Sequence, residues 1–315
     1  MNPGPAVVTV TLNPAIDQTI SIPSFTAGQV NRVTESQSHA GGKGVNVTCV
    51  LADLGIEVAA TGFLGTYNAE VFEKTFQSKG IIDRFVRIPG ATRVGIKIID
   101  SSSERTTDIN FPGLTPKRKE VAELFEHISE LGAPDRWFVL SGSVPPGMPD
   151  DIYAPLIRSV QGKGGWALLD TSGRPLRQAL ESRPEVVKPN VEELSELTGQ
   201  ELNHPGAVRA AAESLLEKGV RLVAVSMGGE GAVFVERGRA LLAKPPRVTV
   251  RSTVGAGDAM VGGIVAARIE GLPLEGIARM ATACGAHAVT RLGAGIDNQI
   301  KLRALAEKVE IESLE

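Results

Sequence analysis

Along most of its 315 residues the chain alternates short apolar runs with segments of helical periodicity. The apolar runs have the length of buried strands and occupy residues 7–12, 58–63, 137–141, 167–170, 186–188 and 222–226. The helical segments are 45–54, 69–78, 151–160, 176–180, 192–197 and 208–217, and the chain is predicted to be mostly helical from residue 255 onward. Strands that alternate with helices are typical of βα units, so the sequence predicts an α/β fold built on a mainly parallel sheet.

Two extended segments interrupt this alternation. Residues 17–23 with 30–38, and 93–100 with 105–110, have the pattern of short strands without a helix between them, and residues 101–104 connect the second pair as a hairpin. Because both pairs stand outside the βα order, we expect a small four-stranded sheet beside the main one, which can act as a lid. The predicted lid covers about 15–38 and 91–112 of a single domain, 1–315.

Charge and composition exclude several classes of function. The 33 lysines and arginines nearly balance the 36 aspartates and glutamates, so a net charge of −3 provides no field that would hold nucleic acid or an anionic membrane. The two cysteines and four histidines are scattered, which argues against a disulfide framework or a structural zinc site. Without a signal peptide or a run of about 18 apolar residues, we expect a cytoplasmic protein.

A glycine-rich turn before the last helical region is the most informative motif. Gly255, Ala256 and Gly257 allow backbone N–H groups to converge at a helix N-terminus, which is suited to a phosphate or a developing anion. Asp258 follows in the first helical turn, where the helix dipole alone also favours a carboxylate. Neither a GxGxxG nor a GxxxxGK[ST] pattern accompanies it, so nucleotide binding has to be argued from the other motifs.

A second glycine-rich turn, at residues 39–47, combines Gly42 with Lys43 and Asn46. An ammonium group and an amide on flexible backbone suit hydroxyls and a phosphate, although the same residues also suit a plain strand-to-helix turn. Asp17 follows the first strand, where ligand crevices form in open α/β sheets, and a turn aspartate is the alternative interpretation.

Two further motifs follow buried strands. Lys188 precedes Asn190 and Glu193, an amide and a carboxylate three residues apart at a predicted helix start, which is the spacing of a capping box. The segment 226–231 offers a hydroxyl and bare backbone to a phosphate or ribose, or forms a tight turn.

Together these motifs, in the order TLNPAxD, GGKGxN, KPNxxE, SxGxxG and TVGAGD over about residues 7–296, closely resemble the ribokinase-like carbohydrate kinase family. The segments 62–65, 107–111 (TDINF) and 141–147 (SGSVPPG) are most similar to its bacterial members that act on fructose 1-phosphate. Val94-Gly95 departs from the family, whose members frequently carry an asparagine near the preceding arginine. The resemblance implies an αβα layered domain with a four-stranded β lid that often forms a dimer contact.

The resemblance also implies residue roles. Asp258 would accept the proton of the attacking sugar hydroxyl, and Gly255, Ala256 and Gly257 would donate N–H groups to the transferred phosphoryl group. The substrate-binding set would be Asp17, Gly42 and Asn46 for hydroxyls, with Lys43 and Arg93 for the sugar's phosphate. The nucleotide set would be Lys188, Asn190, Ser226, Gly228 and Gly231, with residues 283–295 beside adenine. Asn190 and Glu193 would hold magnesium through water.

The implied activity is the ATP-dependent conversion of fructose 1-phosphate to fructose 1,6-bisphosphate with Mg²⁺. A tagatose-6-phosphate kinase shares several of these motifs, and a non-catalytic sugar-phosphate-binding regulator is the alternative of another class. An aspartate with its reference pKa of about 3.9 would suffice as the base. Because four short strands with one bare face are not stable alone, we expect a homodimer through Ile20, Ile22, Val94, Ile96 and neighbouring lid residues.

Overall fold

The computed structural model describes residues 4–100, 102–103, 105–291 and 293–314. Ser101 and Glu104 of the predicted hairpin connection, and Leu292 of the segment predicted beside adenine, lie outside the described residues.

The strands form two separate sheets. They are β1 (Val7–Thr11), β2 (Ala15–Ser21), β3 (Glu35–Gly41), β4 (Val58–Gly65), β5 (Ile82–Ile88), β6 (Val94–Asp100), β7 (Arg105–Asn110), β8 (Trp137–Ser141), β9 (Trp166–Asp170), β10 (Val186–Val187), β11 (Leu222–Ser226), β12 (Ala232–Glu236), β13 (Arg239–Lys244) and β14 (Glu310–Ser313). The ten-stranded main sheet has the order β14-β13-β12-β11-β10-β9-β8-β1-β4-β5. It is parallel from β11 to β5 and antiparallel from β14 to β11, which confirms the predicted α/β class.

Helices cover both faces of the main sheet. They are α1 (Lys43–Asp53), α2 (Glu70–Lys79), α3 (Arg118–Leu131), α4 (Tyr153–Gln161), α5 (Gly173–Ala179), α6 (Val191–Thr198), α7 (Pro205–Glu217), α8 (Ala256–Ile269), α9 (Leu274–Ala288) and α10 (Gln299–Glu307). One core joins the sheet to α1, α2, α8, α9 and α10, and the other joins it to α3–α7. Successive residues of one strand supply opposite cores, since Val7 belongs to the first and Val8 to the second.

The smaller sheet, called the lid below, has the strand order β3-β2-β6-β7. Its register separates two chemically different faces, because residues directly opposite one another point to the same side. The apolar face carries Ile16, Ile20, Val94, Ile96, Ile98 and Ile109. The polar face carries Asp17, Thr19, His39, Lys97, Asp108 and Asn110.

The third lid strand differs from its predicted position. The sequence predicts a strand over 30–38, but β3 begins at Glu35 and continues to Gly41. Residues before it form an exposed turn that the Asn31 side chain closes, accepting from the Thr26 N–H and donating to the Thr26 carbonyl. Val30 therefore lies 87% exposed rather than in the sheet.

Three further elements were not predicted: β5, α3 and β14. The chain after residue 255 is mostly helical, as predicted, with α8, α9 and α10, and β14 then returns to pair with β13 at the edge of the main sheet. No helix among the described residues is long and apolar enough to span a lipid bilayer.

Candidate active site

Polar groups collect at the carboxyl edge of the main sheet, after strands on the β8 side of β1. Asp170 ends β9, Lys188 follows β10, and Ser226 ends β11. Open α/β sheets form their ligand crevices at this edge, near the switch point of the strand order, because the loops on either side diverge there. The lid joins the domain at the same edge, through the residues after β1.

Asp258 occupies the first turn of α8, as the sequence predicts. Gly255 caps this helix with φ 78°, a left-handed conformation that glycine adopts without steric cost. The Asp258 side chain is buried, and its Oδ2 accepts a hydrogen bond of 2.8 Å from Nδ2 of Asn46 in α1. Two predicted site residues that lie 212 positions apart therefore meet at one carboxylate.

The pKa of Asp258 is raised from 3.8 to about 6. Burial disfavours the charged form and is the largest cause, and the negative charge of Asp170 adds to it. The Asn46 hydrogen bond and the charges of Lys43 and Lys188 act in the opposite direction. The sequence argument required no raised pKa for the base, and the shift found here arises mainly from burial of the side chain, which the sequence does not reveal.

Asp170 is the site residue that sequence reasoning missed. Its carboxylate is 1% exposed and lies 3.1 Å from the Lys43 ammonium and 3.5 Å from that of Lys188. The Ser141 hydroxyl donates to its other oxygen at 3.3 Å. Burial alone would raise the pKa of Asp170, but the two lysines and these hydrogen bonds hold it below its usual value.

The Lys188 ammonium lies close to the N-terminus of α8. A Cβ built at Gly257 would lie 3.4 Å from its Nζ, so the absent side chain leaves the ammonium close to the helix backbone. Lys188 is itself 4% exposed. A cation beneath the first N–H groups of a helix makes this end of α8 favourable for an anion.

Asn190 and Glu193 form the capping box that their spacing suggests. The Glu193 N–H donates to Asn190 Oδ1 at 2.7 Å, and the Asn190 N–H donates to Glu193 Oε2 at 2.9 Å. Glu193 Oε1 takes no part in the cap and lies 3.9 Å from the Lys43 ammonium. Capping therefore leaves one hard oxygen ligand, of the kind that Mg²⁺ prefers, beside the charged cluster.

The remaining nucleotide-side residues lie near the end of β11. Ser226 pairs with Asn190 through an isolated parallel bridge, which brings these two predicted motifs side by side. Gly228 and Gly231 both have positive φ. Gly231 also has a structural reason to be glycine, because a Cβ there would lie 2.0 Å from the Ala243 carbonyl oxygen.

The sugar-side residues fall into two groups. Gly42 caps α1 with φ 100°, and Lys43 and Asn46 of that helix turn toward Asp170 and Asp258. Asp17 and Arg93 instead belong to the lid, where Arg93 donates to the Asn13 carbonyl at 3.3 Å and the Phe111 carbonyl at 3.5 Å. Lys43 and Arg93 have no hydrogen-bond partner in common among the described residues, and their predicted sharing of one phosphate stays a prediction.

The lid carboxylate and guanidinium are both partly desolvated. Burial raises the pKa of Asp17, although Arg93 and Lys97 oppose the shift. Burial also lowers the pKa of Arg93, opposed by Asp17. The Arg93 Nε has no hydrogen-bond partner among the described residues. Such a donor in a partly buried place is suited to an anionic ligand.

Comparison with known proteins agrees with this geometry. Residues 10–301 match the model of the pfkB family of carbohydrate kinases. The chain belongs to this family. It is 45% identical to the 1-phosphofructokinase of Rhodobacter capsulatus, with 98% of each chain covered, and 38% identical to that of Vibrio cholerae, covering 98% of this chain and 97% of the relative.

Solved structures give the same result for the fold of this pfkB-family chain. Phosphofructokinase-2 from Escherichia coli in complex with fructose-6-phosphate superposes with a TM-score of 0.89 at 30% identity, covering 96% of this chain and 98% of that one. A possible 1-phosphofructokinase from Thermotoga maritima gives 0.87 at 29% identity, covering 98% and 99%. The ribokinase-like architecture that the motifs imply is thereby confirmed.

Proposed function

We propose that this carbohydrate kinase transfers the γ-phosphoryl group of ATP to fructose 1-phosphate and forms fructose 1,6-bisphosphate. The observation that carries the proposal is the buried Asp258 at the N-terminus of α8, with Lys188 beneath the helix and Asn46 on the carboxylate. The 1-phosphofructokinase relatives, which cover nearly the whole chain, support this choice of substrate.

Asp258 is the proposed base. A carboxylate with a pKa of about 6 is largely ionised at neutral pH, yet it binds a proton more readily than an exposed aspartate. It orients the 6-hydroxyl of the sugar and receives its proton as the oxygen attacks phosphorus. Asn46 fixes the carboxylate by its hydrogen bond, which leaves the other carboxylate oxygen for the hydroxyl.

The N-terminus of α8 is the proposed anion hole. Phosphoryl transfer passes through a loose transition state with negative charge on the equatorial oxygens, so catalysis depends on fixed donors. The backbone N–H groups of Gly255, Ala256 and Gly257 are assigned as those donors, with Ala256 giving up its long hydrogen bond of 3.4 Å to the Thr253 carbonyl. The nearby Lys188 ammonium adds positive charge. Because Asp170 already holds Lys188, little reorganisation is needed when charge develops.

Nucleotide binding is assigned to Lys188, Asn190, Ser226, Gly228 and Gly231. Magnesium, when bound with ATP, would neutralise phosphate charge, and the oxygens of Asn190 and Glu193 are the groups that would hold it through water. The uncapped Oε1 of Glu193 supports this assignment.

The sugar phosphate is assigned to the crevice between the lid and α1. Asp17, Gly42 and Asn46 would meet hydroxyl groups, and Arg93 with Lys43 would meet the phosphate already on the sugar. The partly buried Arg93 with its unsatisfied Nε supports a phosphorylated over a plain sugar, because an unphosphorylated hexose would leave this cation unpaired.

We also propose a homodimer through the apolar face of the lid. Ile20, Val94 and Ile96 share this face and are partly exposed, which supports their role in the contact. Ile22, also predicted there, is only 5% exposed in the single chain and contributes less.

A coupled assay tests the proposed reaction. Purified enzyme with ATP and Mg²⁺ is offered fructose 1-phosphate, fructose 6-phosphate, tagatose 6-phosphate and fructose at matched concentrations. We expect the highest kcat/KM for fructose 1-phosphate. Equal or better use of fructose 6-phosphate or tagatose 6-phosphate would overturn the substrate assignment, and the absence of turnover with all four would overturn the kinase assignment.

A further inference from the structure

A straight row of residues crosses all four strands of the lid on its polar face. Asp17 in β2 lies opposite His39 in β3 and Gly95 in β6, and Gly95 lies opposite Asn110 in β7. Since opposed residues share a face, His39, Asp17 and Asn110 project to the same side, with Gly95 between the last two. Asp17 is assigned to substrate binding, whereas Asn110 has no assigned role.

Gly95 is buried, and its missing side chain lets two polar groups approach the same narrow space, called the gap below. A Cβ built at this position would lie 3.2 Å from Asp17 Oδ1 and 3.4 Å from Asn110 Oδ1, so both oxygens border the space above the glycine. The Gly95 backbone is not in the left-handed region, so its conformation does not require glycine. Glycine within a strand costs stability and often marks the close approach of a ligand.

The gap lies beside the main domain rather than on the outer surface. At one end of the row, a Cβ built at Gly293 would be 4.0 Å from the His39 ring. At the other end, the chain that leaves β7 passes Asn13, since a Cβ at Gly113 would be 1.9 Å from Asn13 Oδ1. The polar face of the lid is thus held over the carboxyl edge of the main sheet.

Asn110 and Asp17 offer complementary hydrogen bonding. A carboxylate only accepts, whereas an amide both donates and accepts. No hydrogen bond of the Asn110 side chain to another described residue occurs, and the side chain is exposed. A hydroxyl above Gly95 would donate to Asp17 Oδ1, and it would accept from Asn110 once that exposed side chain turns its Nδ2, in place of the Oδ1 that borders the space here, toward the hydroxyl.

We infer that Asn110, with the gap above Gly95, is a hydroxyl-recognition site that makes the enzyme select among epimeric sugar phosphates. The inference rests on the proposed function, because it takes Asp17 and the lid as the substrate side. Sites that hydrogen-bond a substrate hydroxyl reject analogues that misplace it, since their own polar groups are then left unpaired. Asn110 therefore determines specificity for the hydroxyl pattern, and Arg93 determines it for the phosphate.

Kinetics with matched epimers test this inference. The probes are fructose 1-phosphate and its single-hydroxyl epimers tagatose 1-phosphate, sorbose 1-phosphate and psicose 1-phosphate, which keep the same phosphate. In Asn110→Ala we expect kcat/KM for fructose 1-phosphate to fall at least about 10-fold, because a hydrogen bond to the substrate is lost. For the epimer whose hydroxyl does not reach Asn110, we expect kcat/KM to fall less than twofold. The KM for ATP should change less than twofold.

Three further variants make the test specific. Asn110→Asp keeps the shape but loses the donors and adds a charge near Asp17, so we expect a loss at least as large. Gly95→Ala fills the gap and should raise the KM for fructose 1-phosphate at least about 10-fold. Thr106→Ala, an exposed change on the same face of β7, is the control and should behave as wild type. Thermal melting of each variant confirms that it is folded.

The outcomes separate this inference from the proposed function. If the wild-type enzyme does not phosphorylate fructose 1-phosphate, the proposed function fails. If it does, but Asn110→Ala preserves kcat/KM or lowers it equally for all four sugars, the proposed role of Asn110 is overturned. The proposed role of Asn110 is supported if Asn110→Ala changes the ratio of kcat/KM between fructose 1-phosphate and its epimers, while Arg93→Ala lowers kcat/KM for all four sugars by the same factor.

Discussion

Two lysine–carboxylate pairs show how differently the main domain and the lid hold charge. In the main domain Lys188 and Asp170 are 4% and 1% exposed, and both contact further site residues. In the lid Lys97 pairs with Asp108, which is 55% exposed. The buried charges are satisfied within the chain before any ligand arrives, whereas polar groups of the lid such as Asn110 and Arg93 Nε still lack a partner among the described residues. The main domain therefore supplies fixed electrostatics, and the lid supplies recognition.

The most direct way to break this distinction is to neutralise the buried base. We expect Asp258→Asn to lower kcat at least ~100-fold, because the hydroxyl loses its proton acceptor, with little change in the KM for ATP. Steady-state kinetics measure this. The conservative Asp258→Glu serves as a partial-rescue control, and near-wild-type kcat in Asp258→Asn would reduce Asp258 to a helix-capping carboxylate.

Removing the shared carboxylate compares the stability of the two regions. Asp170→Asn leaves Lys43 and Lys188 without their counter-charge, and losing one partner of a buried pair typically costs about 3 to 5 kcal/mol. Asp108→Asn in the lid removes a pair whose carboxylate is 55% exposed, and pairs open to solvent are worth about 0 to 1 kcal/mol. Urea unfolding of both variants gives the difference, and equal effects would contradict the contrast between the regions.

The phosphate assignment of the lid is tested by Arg93→Ala. We expect the KM for fructose 1-phosphate to rise at least ~10-fold, since a charge-assisted hydrogen bond worth about 1.5 to 3 kcal/mol is lost, with a smaller effect on the KM for ATP. Arg237→Ala, in the turn between β12 and β13, is the matched control for loss of an exposed arginine. An unchanged sugar KM would remove Arg93 from the substrate site.

The pH dependence of kcat/KM reports on the buried base of the ligand-free enzyme. With a pKa of about 6, about half of Asp258 is protonated near pH 6, so kcat/KM should fall to about half there and continue to fall below it. For stability the sign is opposite. The pKa of Asp258 in the folded state exceeds its reference value of 3.8. The stabilising contribution of Asp258 to the free energy of unfolding is therefore fully present below pH 3.8 and is lost as the pH rises through about 6. A kcat/KM that is constant from pH 7 to pH 5 would contradict the role of the raised pKa.

The smallest expected effect is a change of mass. Light scattering at micromolar concentration should give twice the chain mass of 33.1 kDa for the wild type. Ile96→Asp, on the apolar face, should give the mass of one chain, whereas Thr19→Ala, on the polar face, should not alter it. A wild-type mass of one chain would exclude the proposed dimer.

The sequence predicts best where a local pattern and a local structure coincide. The strand predicted at 7–12 is β1, and the placement of Asp258 in the first turn of α8 follows from the glycine turn alone. Helix α3 was not predicted. Its residues Leu124, Ile128 and Leu131 have the spacing of a buried helix face, so the apolar periodicity of the sequence does indicate this helix. Strand β3 was misplaced because Val30 and Val33 suggest a strand, whereas Asn31 closes a turn.

Asp170 could not be found in the same way. A single aspartate at the end of an apolar strand has no local signature, and its importance arises from Lys43 and Lys188, which approach from other parts of the chain. The raised pKa of Asp258 depends on the same convergence. Sequence motifs thus identify residues proposed to bind ligands more readily than residues, such as Asp170, that hold those residues in position.

The position of β1 in the main sheet has a consequence for the order of folding. One side of β1 pairs with β4, where Val7 lies opposite Val58, but the other side must wait for β8, where Val7 lies opposite Trp137. During synthesis a strand that is fully buried in the finished fold therefore keeps one edge open while about 70 further residues emerge. Such distant pairings slow folding and expose a strand that other chains can join. The centre of the finished enzyme is, for the nascent chain, its most vulnerable edge.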